Sequence, residues 1–134
     1  MEKRFPRVMG SLHGIHRFVS DFFSAHGIDE SSLFDVDLII EEIFTNQVKY
    51  ADGTQDILVE IDKKGSALVV SVTDFDVERF DITKAGKVDV DRPLHERQPG
   101  GLGIHFIRDM ADTVEYEYRD RCSKVTITKR VERR

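Results

Sequence analysis

Three short segments carry side chains whose types and spacing suit proton and anion chemistry. In the first, Glu42, Asn46 and Lys49 fall within about 60° of one another when plotted at ~100° per residue on a helix. They lie away from the centre of an apolar arc made by Val36, Ile40, Ile43, Phe44 and Val48. A carboxylate, an amide and an ammonium thus project together, although the same trio alone also suits a solvated helix face. In the second, Asp74 ends an alternating run with the same parity as Leu68, Val70 and Val72, so its carboxylate faces the core side. A buried acid without hydrogen bonds is costly, so a protein donor or a ligand amine must meet it, unless it caps the turn that follows. The third is Gly100-Gly101-Leu102-Gly103, at the point where a polar stretch enters a helical pattern. Backbone N–H groups at a helix start attract anions, and glycines let a phosphate approach closely; they also simply permit a turn.

The elements that must position these groups follow from periodicity. Phe5 to Val8 predicts a first strand, and Ser11 an N-cap for a helix over 11–25 in which Leu12, Ile15, Phe18, Val19, Phe22 and Phe23 recur at helical spacing. Gly27 ends it, and the run from Ile28 to Ser32 supplies caps for a second helix reaching about Tyr50. Asp56 to Asp62 and the Leu68, Val70, Val72 face predict a hairpin turned at Lys63-Lys64-Gly65-Ser66. Residues 81–99 lose all periodicity and read as a long mobile loop. A short helix with Ile104, Ile107 and Ala111 on one stripe follows. A second hairpin then sets Val114, Tyr116 and Tyr118 against Val125 and Ile127, turned at Arg119-Asp-Arg. The order β-α-α-β-β-loop-α-β-β predicts an α+β two-layer sandwich, a mixed and mainly antiparallel sheet with helices on one face.

Length and composition narrow the function. A chain of 134 residues predicts a single domain spanning 1–134. With 20 Lys+Arg against 25 Asp+Glu the net charge is -5, the wrong sign for holding a phosphate backbone, so direct nucleic-acid binding is not expected. The single cysteine, Cys122, excludes an internal disulfide and fits a reducing compartment. Neither a signal peptide nor a membrane span is read, so the expected location is cytoplasmic, without membrane attachment. His13 and His16 form an i,i+3 pair but lack a third metal ligand, and Cys122 has no neighbouring base to activate it.

Taken in order, Glu42-Ile-Phe-Thr-Asn46, Asp74-Phe-Asp-Val-Glu-Arg-Phe80-Asp81 and Gly100-Gly-Leu-Gly-Ile-His-Phe-Ile107 resemble the N-box and the two glycine boxes of the anti-sigma factor serine kinases. These form a branch of the GHKL superfamily, the histidine kinase-like ATPases, with gyrase, histidine kinases and MutL. The resemblance implies the Bergerat fold and an ATP- and Mg²⁺-dependent protein serine/threonine kinase. In that comparison Glu42 takes the place of the general base and Asn46 that of the Mg²⁺ ligand. Lys49 lies near the phosphates, Asp74 accepts the adenine amino group, and Phe80 closes the first glycine box. Gly100, Gly101, Leu102 and Gly103 form the phosphate-holding turn, and 81–99 becomes the ATP lid. The implied partners are a sigma factor, held inactive, and a STAS-type anti-sigma antagonist phosphorylated on serine; a homodimer is also open.

One position departs from the pattern. Asp76 stands where the first box normally carries glycine, so its side chain either intrudes near the nucleotide or turns outward to cap the following turn. Intrusion would favour a second reading, a regulatory binding module that keeps the fold but transfers nothing. A histidine-kinase catalytic fragment ranks third, because the stretch before Glu42 is too short for a helical hairpin carrying the phospho-accepting histidine.

Overall fold

A computed structural model describes residues 1–79, 107 and 109–133. Seven elements follow in order: β1 (Glu2–Phe5), α1 (Leu12–Ala25), α2 (Leu33–Tyr50), β2 (Ile57–Lys64), β3 (Ala67–Phe75), β4 (Thr113–Arg119) and β5 (Cys122–Arg130). Single 3-10 turns, Met9–Ser11 and Glu30–Ser32, lead into the two helices. The strands form one sheet in the order β1-β2-β3-β5-β4, and every pairing among the described residues is antiparallel. The architecture is therefore the α+β class expected, with the mixed sheet resolved into an antiparallel one. Of the short helix expected before β4, Ile107, Asp109 and Met110 are helical. The loop 81–99, Phe80 and Gly100 to Gly103 lie outside the described residues.

The core forms where the two helices meet one face of the sheet. From α1 come Ile15, Phe18, Val19, Phe22 and Phe23, and from α2 Val36, Ile39, Ile40, Ile43 and Phe44. The sheet contributes Ile57, Val59 and Ile61, then Leu68, Val70 and Val72, then Val125 and Ile127, alternate residues as the pleat demands. Each such side chain contributes roughly 1.5–3 kcal/mol on burial, so the helix–sheet interface dominates the stability. The buried arc of α2 is turned slightly from the expected one: Ile39 and Gln47 are buried, while Val48 is only half-buried.

Two local expectations are corrected. The first strand ends at Phe5 rather than starting there, because Pro6 has no N–H for a ladder and the chain doubles back, Val8 N–H donating to Pro6 O at 2.8 Å. Ser11 is itself helical (φ -67°) and does not cap α1; its hydroxyl donates to Pro6 O at 2.7 Å and pins the connector instead. The turns behave as read. Gly27 takes φ +62° directly after α1, and Asp120 and Arg121, at φ 51° and 61°, make the two-residue left-handed turn that suits a twisted hairpin. No helix among the described residues is long and apolar enough to cross a membrane.

Candidate functional site

The site lies where the C-terminal half of α2 meets the C-terminal end of β3. On α2, Glu42 and Asn46 are one turn apart, and Asn46 Nδ2 donates to Glu42 Oε1 at 3.1 Å. Asn46 is 3% exposed and Glu42 half-buried, so this pair is not the solvated helix face that the trio alone also allowed. Burial raises the Glu42 carboxyl above its ordinary 4.5, opposed by the Asn46 hydrogen bond and the Lys49 charge and reinforced by Glu41. Lys49, the third member, is exposed one turn further on.

Asp74 points inward, as its parity requires, and is fully buried. The donor that meets it is Arg7, from the connector between β1 and α1. Arg7 Nη2 donates to Asp74 Oδ1, and Arg7 Nη1 donates to the Gln47 carbonyl near the end of α2 at 2.8 Å. One guanidinium thus joins the first connector, the second helix and the third strand. Burial raises the Asp74 carboxyl above its ordinary 3.8, against the charge and hydrogen bond of Arg7 and a hydrogen bond from the Phe75 backbone; the Asp52 charge adds to the rise. Asp74 Oδ2 is buried with no hydrogen-bond partner among the described residues, as are both amide atoms of Gln47 and Arg7 Nε.

Arg7 and Gln47 were not read from the sequence as site residues. Arg7 lies 67 positions from Asp74, a separation that no local spacing encodes. The one available signal was the demand of an inward carboxylate for a donor, which foresees a partner but not its identity. Gln47 falls on the buried arc of α2, where an amide is unusual, and that was a clue of the same kind.

Asp76 resolves in favour of the outward arrangement. Its backbone takes φ 52°, the left-handed conformation glycine adopts freely, and its exposed carboxylate accepts from Arg121 Nε at 2.8 Å. The neighbouring backbone is held by the same hairpin: Val77 N–H donates to Arg121 O at 3.0 Å, and Tyr118 Oη donates to Val77 O at 2.7 Å. Glu78 N–H is met by Asp52 Oδ1 at 2.9 Å. Gly53 packs close to Arg7 and Val77, where an added Cβ would fall against Arg7 Nη2 and 2.6 Å from Val77 Cγ1. The expected site residues Phe80, Gly100, Gly101, Leu102 and Gly103 lie outside the described residues. No cluster of three or more metal-ligating side chains occurs among the described residues.

The arrangement can do three things: accept a hydrogen bond at a buried carboxylate, present an amide oxygen beside a carboxylate, and take up a proton at Glu42. Comparison with known proteins gives this geometry a context. Residues 5–129 match the family described as the histidine kinase-like ATPase domain. Comparison with curated proteins returns no match. Among solved structures, the chain resembles the RsbU and RsbW domains of Rv1364c from Mycobacterium tuberculosis, with a TM-score of 0.71 at 15% identity. That match covers 100% of this chain but 33% of the other, so the chain spans about a third of its neighbour's length. It also resembles the SiaB-SiaC complex from Pseudomonas aeruginosa, TM-score 0.65 at 18% identity, covering 98% of this chain and 88% of that one. A third likeness is to the Acinetobacter baumannii histidine kinase AdeS, TM-score 0.56 at 11% identity, covering 98% and 68%.

Proposed function

The chain belongs to the histidine kinase-like ATPase domain family, and from that premise we propose that it is a Mg-ATP-dependent protein serine/threonine kinase of the anti-sigma type. The observation that carries the reading is the Glu42–Asn46 pair, hydrogen-bonded at 3.1 Å within one turn of α2, with Asn46 buried and Glu42 half-buried. A partly buried carboxylate whose pKa is raised is better matched to taking a proton near neutral pH than an exposed one. The orphaned Asp74 Oδ2 fits the exocyclic amine of a purine, which would supply the donor that the described residues do not.

The roles then divide among the chain's own residues. Asp74 fixes the base by accepting from its amine. Asn46 would hold magnesium through its Oδ1, while its Nδ2 donates to Glu42 Oε1. Lys49 adds positive charge on the same side of the helix; by the family resemblance, Gly100, Gly101, Leu102 and Gly103 would offer backbone N–H groups to the phosphates, Phe80 would close the base side and 81–99 would serve as the lid. Glu42 takes the proton from the attacking serine or threonine hydroxyl. ATP supplies the phosphoryl group, and the protein's contribution is position and charge compensation.

We place the protein in the cytoplasm as a single domain with two classes of protein partner, a sigma factor and a STAS-domain antagonist, and with a homodimer open. Likeness to a structure containing an RsbW domain, and to SiaB, which is seen in complex with SiaC, supports a protein partner. The alternative, a regulatory binding module that transfers nothing, has its best support in Asp76, and the pairing of that exposed carboxylate with Arg121 favours the kinase reading over it.

The experiment is transfer from labelled ATP to a STAS-domain protein. Glu42→Gln should keep nucleotide and lose roughly 10²–10⁴ in rate, while Glu41→Gln, ~100° round the helix, stays within a few-fold of wild type. Equal and mild effects of the two substitutions would remove Glu42 from the chemistry.

A further inference from the structure

The carboxylate proposed to read the base already holds a planar group. The Asp74 side chain is 1% exposed and that of Arg7 12%, so of the two side chains Arg7 is the one with some access to solvent. The slot it fills has Gly53 on one side, where no Cβ could fit beside Nη2, with Val77 Cγ1 close by. Its far nitrogen reaches the Gln47 carbonyl at 2.8 Å. A guanidinium is flat, delocalised and a multiple N–H donor, as is the amino edge of a purine.

We propose that Arg7 is a built-in occupant of the base site, and that an adenine base binds Asp74 by displacing the guanidinium rather than by filling an open pocket. This rests on the nucleotide reading above. Because the guanidinium fills the slot beside Gly53 and Val77 and the Asp74 side chain is sealed from solvent, a planar base reaches the carboxylate, its unpaired Oδ2 included, only if Arg7 moves. Displacement also breaks the bond to Gln47 O and unties the connector that carries Arg7 from α2. That connector bears Val8 and Met9, both substantially exposed apolar side chains, so occupancy of the base site would be felt at its surface.

The test measures adenosine and ADP by calorimetry on wild type, Arg7→Met and Asp74→Asn, with circular dichroism to confirm folding. Arg7→Met removes the competing donor but keeps bulk, and should bind both ligands at least tenfold more tightly, while Asp74→Asn weakens both. Wild-type protein supplies a check that needs no substitution: the Arg7 Nε–H resonance should shift when ADP is added. Unchanged or weaker binding by Arg7→Met, together with weakened binding by Asp74→Asn, would overturn the displacement while leaving the base at Asp74. A static Arg7 resonance at ADP saturation would do the same. If Asp74→Asn binds as wild type does, or if neither wild type nor Arg7→Met binds adenosine or ADP, the nucleotide reading fails at this site and the inference falls with it.

Discussion

Asp76→Gly isolates the one position where the sequence departs from its family's pattern, and the structure sets the expected size of the effect. The residue sits at φ 52°, a conformation costing an L residue about 1 kcal/mol and less for aspartate, so glycine relieves strain of that order. Glycine also gives the unfolded chain more freedom, which costs about 0.5–1 kcal/mol in the opposite sense. The carboxylate's partner, Arg121, is exposed and screened by solvent, so losing their pair changes little. Net stability should therefore stay within about 1 kcal/mol of wild type, read by urea unfolding. Nucleotide affinity, measured by calorimetry with ADP, should stay within about twofold, because the side chain is exposed and pairs with Arg121, whereas Asp74 is buried. A gain of about tenfold, ~1.4 kcal/mol, would mean that the Asp76 carboxylate reaches the base site after all. It would also restore the case for a protein that binds nucleotide poorly and transfers nothing.

Two further outcomes test the packing around the site. Asp37, between the helices, has a carboxyl raised by burial from 3.8 to about 6, with His16 opposing and Glu41 adding to the rise. The folded state therefore holds a proton that the unfolded state releases near 3.8, and stability falls as pH rises from about 3.8 to about 6. Asp37→Asn should gain about 1–3 kcal/mol at pH 7–8, the full shift discounted for partial exposure, and nothing below pH 4. Urea unfolding across that range reads it, and a gain independent of pH would contradict the cause given. Gly53→Ala should lower stability by about 1–3 kcal/mol in thermal melts, because the new Cβ meets Arg7 and Val77; a neutral result would place the guanidinium elsewhere.

Much of this was legible in the sequence because it is written in periodicity. The five buried residues of α1 recur at helical spacing, and the parity of Leu68, Val70 and Val72 carried Asp74 inward with them. What periodicity cannot express is which residue closes a long-range contact. Arg7 follows a proline in a connector and has no pattern around it, yet it decides the environment of Asp74. Asn46 shows a related limit. Its place beside Glu42 followed from the i,i+4 spacing, but its burial depends on how α2 is turned on the sheet, and the arc centred on Ile39 and Ile43 differs slightly from the one inferred. The first strand was displaced because the ladder depends on N–H groups and Pro6 lacks one.

The two carboxylates of the site carry a further argument about how one fold separates recognition from chemistry. Burial pushes both upward, but what pulls against it differs. At Asp74 the counterweight is first a buried guanidinium in direct contact, which favours the ionised, acceptor-only form suited to holding an amine. At Glu42 it is first a neutral amide, with the exposed Lys49 charge behind it, so nothing in contact prevents the carboxylate from gaining a proton. On the proposed reading, that difference goes with the roles: a cation beside Asp74 favours the acceptor form that recognises an amine, and a neutral amide beside Glu42 suits a group that takes up a proton. Arg7 then has two consequences. It pulls the Asp74 carboxyl back toward its ionised form before the base arrives, and it must leave for the base to bind, so a cation removed from the slot is exchanged for a neutral ring. The base must therefore recover, through Asp74 Oδ2 and the stacking walls at Gly53 and Val77, what the carboxylate loses when the guanidinium departs.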